Sequence, residues 1–431
     1  MENLIPYIKL IILALACLVT GVCTLNRKWY VNLPVFLICI AGETFMAYLF
    51  FPAYALWPAC GSVAIFAFST AWEHLKPSGR KENKSPIRLP VISGVPYRHL
   101  EFYYYYSNFL VYGGAGSGKT KSIGKWLLEE YIRLGFAGFI YDFKDVDYTQ
   151  TAYNLTKKYG YPHKFYYVSF DKPERSYRFN PLKVVKDRTE LMQLMEDVLL
   201  ALLPKGEKQN EWVAGGLGIL RGVAFRFWDE FPEYCTLPHI MAFIMTASTR
   251  QLSIFLQQNL VAEMMAGAYL KAEGSEKTQA SYLSTLCNNL STISQNEEIA
   301  YILSGDDFDF NLIDPEDPKL FAISNNFSKN SVYAPVIGML MSISTRQFTM
   351  QNKVPFVYFL DEMTTVNIKN FETLPSVLRE YKVGFVLLTQ SGAKLEALYG
   401  KLDRSSVEAN FGIQFFGRTK DCLLYTSDAA D

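Results

Sequence analysis

Histidine, cysteine and any excess of one charge are scarce in this 431-residue chain. The 7 cysteines form no CxxC pair and no cluster with the 4 histidines, which excludes a disulfide scaffold and a zinc module. Cys17, Cys23, Cys39 and Cys60 lie in an apolar amino-terminal stretch, while Cys235, Cys287 and Cys422 are scattered, as are His74, His99, His163 and His239. Both residue types read as packing or surface positions. Lysine plus arginine (42) equals aspartate plus glutamate (42), so the chain is neither a histone-like binder nor an acidic tail. It also lacks an internal repeat and any basic run interleaved with aromatics that would mark a nucleic-acid surface from sequence.

The zero net charge is an average of two unlike parts. Residues 1–72 carry five charges (Glu2, Lys9, Arg27, Lys28 and Glu43), leaving 79 of the 84 in the remaining 359 residues. That is about 22%, close to the ordinary globular value of roughly 25%. The charge-poor part contains an apolar run from Leu4 to Asn26 broken by Lys9, a second from Trp29 to Phe51 broken by Glu43, and an uncharged third from Pro52 to Trp72. The third alone meets the spanning length of about 20 residues, and no A-x-A-like cleavage site follows the first. The pattern predicts a transmembrane anchor of two or three spans over residues 1–75. Five basic residues (Lys76, Arg80, Lys81, Lys84, Arg88) against two acidic ones between Glu73 and Pro90 hold the remainder in the cytoplasm. Glu43 reads either as a buried polar residue of a bundle or as a sign that its run skims the interface.

A polar, proline-containing linker (Lys76 to Pro96) leads into alternating strand-like and helical segments. Phe109 to Tyr112, Phe136 to Tyr141 and Phe165 to Ser169 read as strands, and Lys119 to Leu134 as a helix with Ile123, Trp126, Leu127 and Tyr131 on one face. From Thr189 to about Leu303 apolar residues recur at helical spacing, as in Leu191, Leu194, Met195, Val198, Leu199 and Leu202. Strand signals resume at Leu320 to Ser324, Phe356 to Leu360, Val383 to Thr389 and Ile413 to Phe416, with helices at Pro335 to Arg346 and Leu374 to Tyr381. The expected fold is α/β with a parallel sheet. One nucleotide-binding domain in two parts, 76–188 and 305–421, is interrupted by an all-helical insertion, 189–304. The tyrosine run Tyr103 to Tyr106 reads as strand or packing residues, with adenine stacking as the alternative.

The sharpest motif is Gly113-Gly114-Ala115-Gly116-Ser117-Gly118-Lys119-Thr120, the G-x-x-x-x-G-K-[ST] pattern with a strand before it and a helix after it. Glycine lets the backbone wrap closely around phosphates at a helix start that favours anions. Lys119 would then neutralise the β- and γ-phosphates of ATP, and the Thr120 hydroxyl would ligate Mg2+. The apolar strand Pro355 to Leu360 ends in Asp361 and Glu362, the first placed to hold Mg2+, the second to orient or deprotonate water. Gln390 follows the strand Val383 to Thr389, at the end where ligands bind in open α/β sheets. It is a candidate sensor of the γ-phosphate or else a solvated loop residue. Arg379, near a helix end, is a candidate arginine finger for a neighbouring subunit or a residue that stabilises the helix dipole.

The order of apolar spans, GGAGSGKT, Tyr141-Asp-Phe-Lys-Asp145, Phe179-Asn-Pro-Leu182, a helical insertion, Phe359-Leu-Asp-Glu362, and Gln390-Ser391 followed by Leu398-Tyr-Gly400 resembles the TraG/TraD-type conjugative coupling proteins over roughly residues 1 to 420. The resemblance implies a RecA-like, hexameric, multi-pass inner-membrane ATPase of the FtsK/HerA superfamily. Such an enzyme passes a relaxase-bound single DNA strand to a type IV secretion channel. It sets Arg379 where the family carries its candidate finger and Gln390 in a Q-S motif, and makes the helical insertion the part that meets the relaxosome. Two other functions fit parts of the pattern. One is an FtsK-like chromosome translocase, disfavoured by the long insertion between the two motifs. The other is a membrane receptor for protein cargo in which ATP binding serves assembly. After Gly417-Arg-Thr-Lys-Asp421 the chain departs from the family, and residues 422–431 resemble adapter-derived sequence read as coding. The expectation is a non-native tail, which resequencing the locus would test.

Overall fold

The computed structural model describes residues 29–54, 86–91, 99–144, 146–203, 210–272, 274–349 and 352–418, with residues 6, 9, 60 and 63 besides. The chain falls into two units, Met1–Lys84 and Ser85–Asp431. In the first, α1 (Trp29–Phe50) coincides with the second apolar run, and its Glu43 is buried. Among the described residues no helix is long and apolar enough to cross a membrane. The first and third apolar runs lie almost wholly outside the described residues, as does the tail from 422.

The second unit opens with a hairpin of β1 (Ile87–Pro90) and β2 (His99–Phe102), antiparallel with Ile87 opposite Phe102. This corrects the reading of 76–96 as linker throughout. Ile87 and Leu89 alternate with Arg88, so one face of a short strand is apolar. Both are buried, and the Arg88 amide donates to Glu130 Oε2 at 2.7 Å.

The sheet follows. β3 (Phe109–Tyr112) leads through the glycine loop and a wide π-type turn at Thr120–Gly124 into α2 (Lys125–Arg133). Then come β4 (Ala137–Asp142), α3 (Asp147–Tyr159) and β5 (Lys164–Ser169). Between β5 and the next strand the described residues form α4 (Arg188–Leu202), α5 (Glu211–Glu230), α6 (Leu237–Thr246), α7 (Thr249–Gln257), α8 (Leu260–Met265), α9 (Gly267–Lys271), α10 (Glu276–Ser294) and α11 (Glu297–Leu303). Side-chain caps start most of these helices: Asp187 accepts from the Glu190 amide, Asn210 from Val213 and Asn296 from Ile299, each satisfying a backbone donor the helix cannot. The chain closes with β6 (Lys319–Ser324), α12 (Asn330–Thr345), β7 (Phe356–Asp361), α13 (Leu374–Val377), β8 (Val383–Thr389), α14 (Gly392–Tyr399), α15 (Lys401–Asn410) and β9 (Ile413–Phe416).

The seven strands β3 to β9 form one sheet in the order β5-β6-β4-β7-β8-β3-β9, with every pairing parallel. Strands covered on both faces must be apolar at nearly every position, as FIYD, FVYFLD and VGFVLLT are. Alternate side chains feed two cores. Phe139, Tyr141, Tyr358 and Leu360 join one that continues into α4, α5 and α10 to α12. Ile140, Val357, Phe359 and Val386 pack with Leu127, Leu128 and Tyr131 of α2 on the other face. Asp197 of α4 receives hydrogen bonds from Arg346, beyond α12, and from Lys369, beyond β7, at 3.0 Å for the lysine. At the amino edge of the sheet Asn108 accepts from the Phe385 amide at 3.1 Å and donates to the carbonyls of Pro375 and Asn410 at 3.1 and 3.0 Å.

Candidate active site

The loop Gly113–Gly118 stands on the carboxyl edge of the sheet because β3 ends at Tyr112. It is anchored by the Gly113 amide donating to Thr389 O at the end of β8 and by the Gly114 amide donating to Arg418 O, both at 3.1 Å. Gly116 and Gly118 have φ of 75° and 85°, a left-handed backbone that would cost another residue about 1–2 kcal/mol. The chain thereby turns into its helix with the helix start facing the loop, the usual anion-binding arrangement. Lys119 folds back over the loop, only 6% exposed. Its Nζ donates to Gly113 O at 3.1 Å and to Glu362 Oε2 at 3.3 Å.

Glu362 arrives from β7, separated from β3 by β8 alone. The strand is apolar up to Asp361 and then breaks: Glu362 has φ 49°, a strained turn that swings its carboxylate back toward Lys119. Lys394, at the start of α14, lies 3.5 Å from Glu362 Oε1 and donates to Gln390 Oε1 at 2.8 Å. Lys119, Glu362, Lys394 and Gln390 therefore form one chain of contacts across the carboxyl ends of β3, β8 and β7.

Asp361 is fully buried and neither carboxylate oxygen has a hydrogen-bond partner. Burial pushes its pKa up to about 7, against the pull of Lys144 and Lys119, while Asp142 and Glu362 add to the rise. Asp142, at the end of β4, is also buried but satisfied, accepting from the Thr149 amide and hydroxyl at 2.8 and 3.0 Å and from the Lys144 amide at 3.2 Å. Burial raises its pKa and those bonds oppose the rise. Lys144 reaches over the edge to within 3.5 Å of the Thr120 hydroxyl.

A buried carboxylate costs several kcal/mol unless something pairs with it. The hydroxyls of Ser117 and Thr389 are buried and unpartnered too; Thr389 lies one residue beyond Leu388, the register partner of Asp361, and so turns its side chain to the opposite face of the sheet. Two open anionic oxygens within reach of the Lys119 and Lys144 charges beside a glycine loop fit a divalent cation carrying a phosphate group. Asp361 and Thr120 could hold the cation; the loop amides, Lys119 and Ser117 could hold the phosphates.

Not every candidate joins this group. Arg379 sits in the turn before β8 and lines a cavity of about 430 Å³ with Tyr103, Tyr104 and Asn108, at the amino edge of the sheet. A seven-residue strand separates that edge from Gln390, roughly 20 Å at about 3.3 Å per residue, so Arg379 does not face Lys119 of its own chain. Tyr103 and Tyr104 are exposed there, beyond the end of β2, and neither is a strand residue nor near the glycine loop. Reading the motifs alone gave Lys144, within Tyr141–Asp145, no role, and missed Lys394. The signal for Lys144 was its place just past the carboxyl end of β4, and that for Lys394 its spacing of four from Gln390.

A glycine loop between strand and helix, a buried lysine upon it, and an acidic pair ending a neighbouring parallel strand define a P-loop nucleotide-binding domain. Residues 76–422 match the family described as type IV secretory system conjugative DNA transfer, and the chain belongs to that family. Among solved structures it is similar to the bacterial conjugative coupling protein TrwBdeltaN70 in complex with sulphate, with a TM-score of 0.58 and 18% identity over 75% of this chain and 73% of that one. It is also similar to the plasmid coupling protein TrwB in complex with ADP and Mg2+, with a TM-score of 0.54 and 19% identity over 70% of this chain and 68% of that one. At these identities the likeness concerns the fold. No curated protein matches the sequence significantly.

Proposed function

We propose that this protein is a membrane-anchored ATPase that drives a relaxase-bound DNA strand into a type IV secretion channel during conjugative transfer. The observation that carries the reading is the contact between Lys119 and Glu362 beside the open oxygens of Asp361, in a chain of the conjugative DNA transfer family. TrwB is known in complex with ADP and Mg2+, which supports ATP and Mg2+ as the substrate and cofactor here. Bound at Thr120 and Asp361, Mg2+ would supply charge neutralisation between the β- and γ-phosphates.

The chain's own residues have separable tasks. Loop amides and Lys119 bind the phosphates. When Lys119 turns to phosphate, Glu362 loses a cation at 3.3 Å and becomes free to accept a proton from water. Lys394 keeps Gln390 beside Glu362, so the amide can report whether a γ-phosphate is present. Arg379, far from its own Lys119, acts on a neighbouring subunit's nucleotide in a homo-hexamer. The anchor in residues 1–75 holds the motor on the cytoplasmic face of the inner membrane.

The test is ATP hydrolysis by the full-length protein with and without single-stranded DNA, alongside Lys119→Ala and Glu362→Gln. Loss of hydrolysis in both variants and stimulation by DNA are expected. Hydrolysis unchanged by Lys119→Ala would sink the motor reading. No DNA binding or stimulation, with relaxase still bound, would favour a cargo receptor.

A further inference from the structure

Beyond β6 the chain makes a short rigid loop, Asn325 to Lys329, on the same carboxyl edge as the glycine loop. Asn326 Oδ1 accepts from the Ser328 amide and hydroxyl at 2.9 and 2.7 Å, its backbone amide donates to Asn325 Oδ1 at 2.7 Å, and its Nδ2 donates to Asp171. Lys329 pairs with Asp171 at 2.6 Å. At the crest stands Phe327, 81% exposed, its ring meeting only the edge of Phe143 at 6.4 Å among the described residues. An apolar ring held out by so many hydrogen bonds is not there through floppiness; the loop is built to present it.

The same loop is wired to the nucleotide site. Asn325 Nδ2 donates to Tyr141 OH at 2.8 Å, Tyr141 OH meets Thr365 Oγ1 at 2.7 Å, and Thr365 Oγ1 donates to the backbone carbonyl of Glu362 at 2.7 Å. Because the threonine proton is committed to Glu362 O, the tyrosine must donate to Thr365, so all three bonds run in one direction. Asn325 also donates its amide to Asp142 O at 2.8 Å. Tyr141 is buried, and in a water-poor setting such a chain is strong and sensitive to the position of either end. These bonds form a continuous link between the strained backbone at Glu362 and the loop that carries Phe327.

We infer that Phe327 is a stacking contact for single-stranded DNA, and that the Tyr141 and Thr365 hydroxyls couple strand contact to the Glu362 turn. Every base has a π-face, so an exposed ring grips a moving strand without reading its sequence. Lys329, half exposed beside it, offers a cation to the backbone once a phosphate competes with Asp171. The inference rests on the DNA-transfer reading above and adds to it which loop touches the strand and how that contact reaches the acid.

The experiment uses the full chain and a fluorescein-labelled oligothymidylate, with affinity read by anisotropy in the absence of nucleotide and molecular mass by light scattering. Phe327→Ala should weaken binding about tenfold or more, the loss of one base stack, and Phe327→Trp should retain it, both at unchanged mass. Equal affinity in Phe327→Ala would overturn the assignment, and so would a drop in mass, which would make the loop a contact between copies of this chain. Tyr141→Phe and Thr365→Val each interrupt the chain of hydroxyls. Both should bind the oligonucleotide as the parent does yet lower the ratio of DNA-stimulated to unstimulated ATP hydrolysis toward one; an unchanged ratio in both would refute the coupling. Lys119→Ala separates this inference from the ATPase reading, since it should lose nucleotide binding while keeping oligonucleotide affinity.

Discussion

Replacing Asp361 with asparagine removes a charge and nearly preserves the side chain's shape, so its effect on stability should depend on pH in a calculable way. The carboxyl has a pKa of 3.8 in the unfolded chain and about 7 in place. Between those values the folded protein holds more protons than the unfolded chain, so the wild type loses stability as pH rises from about 4 to 7 and levels off above. At about 1.4 kcal/mol per unit the cost is roughly 4 kcal/mol at pH 8 and a little under 2 kcal/mol at pH 5, a difference of about 2.5 kcal/mol. Asparagine carries its own unsatisfied amide, but that cost does not change with pH, so the difference between the two pH values isolates the charge. For a unit of about 350 residues, unfolding entropy of about 2.1 cal/mol/K per residue converts 2.5 kcal/mol into a Tm change of some 3–4 °C. Thermal unfolding in EDTA, which removes divalent cations, should show the Tm gap between variant and wild type growing by that amount from pH 5 to pH 8. Lys144→Met serves as a control: with its pull on Asp361 gone, the wild-type decline should extend above pH 7. A gap that stays constant across the range would refute the claim that the site stores an uncompensated acid.

Two further perturbations test the frame around the site. Gly124→Ala places a Cβ 2.1 Å from Tyr148 Oη and 2.9 Å from a Leu388 methyl, and should destabilise by about 1–3 kcal/mol through overpacking; Tyr148→Phe should recover part of the loss in a double-mutant denaturation cycle. Asp197→Ala strips Arg346 and Lys369 of their shared acceptor and should cost about 1.5–3 kcal/mol, read as a lower denaturant midpoint. An unchanged midpoint would mean the helical block is held to the loop beyond β7 by apolar packing alone.

The strands were legible because a sheet covered on both faces leaves little room for polar residues: Phe109–Tyr112, Val383–Thr389 and Ile413–Phe416 have the same ends in sequence and structure. The glycine loop was legible because its spacing is set by phosphate geometry. Pairing order was not, since nothing local says that β8 lies between β3 and β7, and the Lys119 to Glu362 contact depends on it. The hairpin at Ile87–Pro90 hid behind prolines and charges because only two of its residues face inward. Lys144, Lys394 and Tyr141 acquire their roles from residues more than 20 or even 200 positions away, or from one turn of helix that single-residue motifs ignore. Arg379 shows the converse: the sequence brings it eleven positions from Gln390, and the strand between them carries it to the other edge.

That edge is stiff, and Asn108 makes it so. One amide side chain, 5% exposed, spends three hydrogen bonds on the starts of β8 and α13 and the end of α15, close to the most it can form. The sheet is thus clamped like a book at its spine, with its loops as the free margins of the pages. The glycine loop, Glu362 and Asn325 all stand at the opposite, carboxyl edge, joined to one another by their own side-chain contacts. Arg379 and the two exposed tyrosines lie beside this clamp, so in the proposed hexamer they would offer a neighbouring subunit a surface held in shape by Asn108.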